Sequence, residues 1–108
     1  MELSADKKAD ITVVTVVGSI DSADSNALRT FLDDLIEAGQ RRLVLDISDM
    51  DFIVSMGLGI LVQTYTRLRR DDGFLRLAAP QPAILRIIKT TGLDRLLSIY
   101  DSLAQALE

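Results

Sequence analysis

The chain has 108 residues, enough for one domain; 48% are apolar but only 5% aromatic, so Val, Ile and Leu must build the core. Twelve basic against sixteen acidic residues leave a net charge of −4, which argues against general binding to nucleic acid or anionic membranes, since both need a positive field. Cys and His are both absent, which excludes disulfides, thiolate sites, most zinc sites and histidine-dependent triads.

In chain order, residues 1–4 allow a short first strand, and residues 11–17 are β-branched throughout and predict a second, ended by Gly18-Ser19. Asp21 to Ser25 is rich in cap formers and predicts a helix start. Leu28, Phe31, Leu32, Leu35 and Ile36 then make one helix face, and Gly39 supplies a stop. Residues 43–47 form an almost continuous apolar run, as expected of a central strand covered on both faces, and lead into a short acidic loop. A second helix is expected from Ser55 or Met56, with Leu58, Leu61, Val62, Tyr65 and Leu68 buried and Asp72-Gly73 breaking it. Arg67, Arg69 and Arg70 at its end suit the helix dipole; with Arg41 and Arg42 they are the two small basic groups of the chain. Residues 74–78 read as a strand. Pro82 opens a short helix carrying Ile84, Ile87 and Ile88, and Gly92 closes it. Residues 96–100 predict a last short strand, and Ser102 caps a terminal helix with Leu103 and Leu107 on one face. The alternation predicts an α/β fold: one domain over 1–108, with a central mixed, mostly parallel β-sheet of four to five strands packed with about four α-helices.

Three motifs invite chemistry. Gly57-Leu58-Gly59 lacks the third small residue of a dinucleotide fingerprint, because Val62 stands there, and it reads as close packing at a helix start. Asp46, Asp49 and Asp51 suggest an oxygen-ligand site for magnesium, but Asp21 has no adjacent acidic partner and Lys89 falls within a helix, so they read as turn-forming residues of a solvated loop. Ser55 has no base to activate it as a nucleophile. By local chemistry alone it is an N-cap whose hydroxyl accepts a backbone N–H.

The segment Asp46-Ile47-Ser48, then Phe52-Ile53, then Ser55-Met56-Gly57-Leu58-Gly59 resembles the signature of the STAS family. Gly18-Ser19-Ile20-Asp21 is similar to the family's step before the first helix, and Pro82 through Thr91-Gly92-Leu93 resembles its third helix and turn. The resemblance covers nearly the full chain and implies a STAS-type fold. It further implies an anti-sigma factor antagonist: a non-enzymatic partner of an anti-sigma factor serine kinase, releasing a sigma factor and regulated by phosphorylation of Ser55, with room for a serine phosphatase. Partner contacts are then expected at Asp21, Ser22, Val54, Ser55, Met56, Gly57 and Leu58, with no cofactor, no metal and no catalytic residue. The family pattern usually reads Asp-Ser-Ser/Thr-Gly where this chain has Val54-Ser55-Met56-Gly57, losing a carboxylate and a hydroxyl. That departure favours a second reading, a phosphorylation-independent STAS scaffold or transporter-associated subunit, because an apolar helix start suits a constant contact. A third, a small nucleotide-binding sensor, finds no specified pocket in the chain. No apolar run reaches the length of a membrane span, and Glu2, Asp6 and Asp10 outnumber Lys7 and Lys8 before the first strong strand, unlike a signal peptide. A cytoplasmic location is expected.

Overall fold

In the computed structural model, which describes residues 1–108, β1 (Glu2–Lys8) turns through Ala9 at φ +58° into β2 (Ile11–Ile20) and pairs with it antiparallel. Then follow α1 (Ser22–Glu37), β3 (Arg42–Ile53), α2 (Ser55–Arg70), β4 (Phe74–Ala78) and α3 (Pro82–Thr90). A 3₁₀ turn at Leu93–Arg95, β5 (Ser98–Tyr100) and α4 (Leu103–Ala106) complete the chain. The sheet order is β1-β2-β3-β4-β5, with β2 to β5 parallel. This is the expected α/β architecture of five strands and four helices.

Pleating sorts the strand residues onto two faces. Val14, Val16, Leu43, Leu45, Ile47, Leu75 and Leu77 share one core with Leu28, Leu32 and Ile36 of α1, Leu58, Ile60, Leu61 and Leu68 of α2, and Ile84 and Ile88 of α3. Three helices thus cover one face. The opposite face carries a smaller cluster of Ile11, Val44 and Ala78 beneath Ala106 of α4, flanked by Phe74, Tyr100, Leu103 and Leu107.

Three strands run further than the sequence suggests, the first being β1, which reaches Lys8 rather than stopping near residue 4. β2 does not end at Gly18-Ser19; Gly18 adopts φ +93° and the strand continues to Ile20 with a register shift at that step. The acidic segment after Ile47 is strand rather than loop: Asp49 pairs with Val17, Met50 with Gly18, Phe52 with Ser19 and Ile53 with Ile20. Irregular pairing breaks the two-residue alternation, so the burial of Met50 and Ile53 comes at a spacing of three. On α2 the buried stripe also differs: Ile60 and Thr64 are inside, while Val62 and Tyr65 are only half-buried. No helix is long and apolar enough to cross a membrane.

Candidate functional site at the paired helix starts

Ile20 and Ile53 are register partners at the ends of β2 and β3, and the Val54 N–H donates to the Ile20 carbonyl at 3.0 Å. The chain leaves the sheet at the next residues in both places, so α1 and α2 begin side by side on one edge. Gln81, at the start of α3, joins the same edge by donating from Nε2 to the Ser48 carbonyl at 2.9 Å.

The two neighbouring starts are chemically different. At α1 the Asp21 carboxylate accepts the Asp24 N–H at 2.8 Å, and the Asp24 carboxylate accepts the Asp21 N–H at 3.3 Å, a closed capping box. The backbone N–H of Asp24 holds the Asp21 carboxyl below its ordinary value of 3.8, against a smaller opposing effect of desolvation. Ser22 follows, exposed, as the first helical residue, and the buried Ser25 hydroxyl donates to the Asp21 carbonyl at 2.8 Å.

At α2 the N-cap is Val54, with φ −81° and ψ 164°, and no side chain caps the helix. This corrects the reading of Ser55 as a cap. Ser55 is the first helical residue, exposed, with no capping bond from its hydroxyl. The first backbone bond is from the Leu58 N–H to the Val54 carbonyl at 3.2 Å, leaving the earlier N–H groups at the helix end to solvent or a ligand. Packing holds this uncapped end: a Cβ on Gly57 would lie 2.8 Å from Ile53 Cγ1 and 3.2 Å from Ile20 Cγ2, so any larger residue there forces Ile53 to shift.

The expected contact residues therefore divide. Asp21, Ser22, Ser55 and Met56 are exposed, Val54 is half-buried, and Gly57 and Leu58 turn inward against the core. Phe52, 49% exposed, and Met56, 47% exposed, are apolar side chains close to Ser55 in the chain. The irregular pairing at the end of β3, which no local sequence signal marks, accompanies the outward position of Phe52. The acidic residues are held in strand geometry. Asp46 accepts from the Ser48 N–H and hydroxyl at 3.1 and 2.8 Å, and Asp51 accepts from the Ser19 hydroxyl at 2.7 Å. No group of three His, Cys, Asp or Glu side chains is arranged to hold a metal ion.

Ser55 is therefore an exposed, uncapped serine at the start of α2, with the exposed Phe52 before it in the chain and the exposed Met56 after it. The family model described as the STAS domain matches residues 2–106. The anti-sigma-B factor antagonist of Bacillus subtilis is 30% identical over 86 residues, 80% of this chain and 78% of that protein. The crystal structure of an anti-sigma factor antagonist from Mycobacterium paratuberculosis has a TM-score of 0.89 at 33% identity, covering 98% of this chain and 90% of that one. The Bacillus cell fate determinant SpoIIAA in its phosphorylated form shares the fold, with a TM-score of 0.76 at 17% identity over 98% of this chain and 96% of that one.

Proposed function

Because this chain belongs to the STAS domain family and is similar to anti-sigma factor antagonists over most of its length, we propose that it acts as such an antagonist. In this reading it binds an anti-sigma factor that is a serine kinase, frees a sigma factor, and loses the kinase once Ser55 is phosphorylated. A serine phosphatase restores the binding form.

The observation that carries the reading is the open start of α2. Ser55 presents its hydroxyl without a capping bond, and the first-turn N–H groups have no side-chain acceptor. A phosphate there adds about −1.5 to −2 charges and three acceptor oxygens. The helix end can accommodate it, since its N–H groups and dipole favour an anion. The surface presented to a partner changes far more. Phe52 and Met56 suit a dry apolar contact, whereas a dianion on the residue next to Met56 must be stripped of water on docking. The switch thus acts through the interface and requires no refolding.

The exposed Phe52 and Met56 equally favour the second reading, a scaffold whose contact ignores phosphorylation. Calorimetry with the purified anti-sigma factor kinase separates the two. Ser55→Ala is expected to bind as the wild type does. Ser55→Asp is expected to bind over 100-fold more weakly, about 3 kcal/mol. Equal binding by both variants overturns the switch and leaves the scaffold. Incubation with the kinase and ATP is expected to add one phosphate to the wild type and none to Ser55→Ala.

A further inference from the structure

α1 and α2 leave the same sheet edge together, and below their starts they enclose a groove of about 190 Å³. Arg29 and Asp33 line it from α1; Ile60, Gln63, Thr64 and Arg67 line it from α2. The Arg67 guanidinium donates to Asp33 at 3.3 Å and its charge is balanced there. Arg29 forms no ion pair, since the ion pairs of the molecule are Lys8–Asp6, Arg41–Asp71, Arg42–Asp10 and Arg67–Asp33. The groove therefore holds one uncompensated positive charge beside the Gln63 amide and the Thr64 hydroxyl, in a protein whose net charge is −4. It is smaller than the roughly 300–1,000 Å³ of ordinary ligand pockets, which suits a single side chain better than a nucleotide.

Between this groove and Ser55 lies Gly59. It is exposed in the interior of α2, its φ is not positive, and a Cβ there would meet nothing within 4 Å. Glycine weakens a helix interior, and neither backbone conformation nor internal packing accounts for this one. Met56, Gly59 and Gln63 follow one another at helical spacing, so a strip with a bare backbone at its centre runs about 12 Å from Ser55 to Gln63.

We propose that the docking surface continues from Ser55 down this strip, with the partner's chain approaching the bare backbone at Gly59 and placing an acidic side chain on Arg29 in the groove. The inference rests on the reading of Ser55 as the docking point and names the second contact of the same partner. A carboxylate meets the Arg29 fork, with Gln63 and Thr64 as further donors. Continuity with the apolar patch at Met56 joins the two contacts into one interface.

Binding to the purified anti-sigma factor kinase, measured by calorimetry beside thermal melts of each variant, tests this. Arg29→Glu is expected to weaken binding at least ten-fold at unchanged melting temperature, and Arg29→Lys to keep most of the affinity. Gly59→Ala is expected to melt at the same or a higher temperature yet bind at least ten-fold more weakly, a combination a purely structural glycine does not give. A fall in its melting temperature would trace the loss to the fold and overturn the assignment of Gly59. If Ser55→Asp abolishes binding while Arg29→Glu and Gly59→Ala bind as the wild type does, the extended surface is wrong and the proposed function stands. If the Ser55 variants bind alike while Arg29→Glu and Gly59→Ala do not, the groove stands and the switch is wrong. A wild-type protein that does not bind overturns both.

Discussion

Asp21 and Val54 occupy equivalent places at two adjacent helix starts, and only one of them is a cap. The helix start at Asp21 to Ser25 was legible because that run is rich in cap formers, but the sequence did not single out Asp21 as the cap. Ser55 was misplaced by one residue for the same reason: serine is a favoured N-cap and valine is not, so propensity put the cap on the serine. Pairing of Ile53 with Ile20 decided otherwise, carrying the strand to the residue before Val54. Restoring a carboxylate there is informative. Val54→Asp is expected to stabilise the unmodified protein by about 0.5–1 kcal/mol, the worth of a cap less some packing of the half-buried valine. That is a rise of a few degrees in Tm. An unchanged or lower Tm would mean that the packing of Val54 is worth as much as a side-chain cap or more. The same carboxylate would compete with a Ser55 phosphate for those groups.

Elements with strong local signals were readable from the sequence: the stripe of α1, the stop at Gly39, Pro82 at the first turn of α3 and Ser102 capping α4 all lie as expected. β1 and the acidic half of β3 were not fully readable. Most of their residues are polar and exposed, and they are strands because β2 offers them a ladder, which is tertiary context overriding propensity. The Gly57-Leu58-Gly59 step shows the same limit within one helix turn. Close packing explains Gly57 but not Gly59, and no sequence rule separates them, because the difference is the presence of Ile53 and Ile20 beside one and open space beside the other. Gly57→Ala is accordingly expected to lower Tm: overpacking costs about 1–3 kcal/mol, and the better helix propensity of alanine returns at most about 1. A Tm equal to the wild type's would show that Ile53 moves aside freely.

At the scale of the molecule the two sides of the sheet are unequally covered. Three helices shield one side, whereas the other depends on the four residues of α4. Arg76 anchors that short helix. Its guanidinium lies 3.9 Å over the Phe74 ring and 5.5 Å from the Tyr100 ring, and donates to the carbonyls of Ala106 and Glu108 at 2.8 and 3.0 Å. Arg76→Ala is expected to cost about 1–3 kcal/mol in denaturant unfolding, from the lost stacking and hydrogen bonds. Amide exchange should accelerate in Leu103–Ala106 while α1 stays protected. Uniform acceleration would show that α4 is not a separately held unit. The strand order also bears on how the chain is made. Because each strand lies beside its predecessor, the sheet grows at a single advancing edge, and no early strand needs a later segment to slip in between its neighbours. A ribosome can therefore deliver this protein in assembly order, with the β1-β2 hairpin laid down before the strand that extends it and the Ser55 surface complete once α2 has emerged.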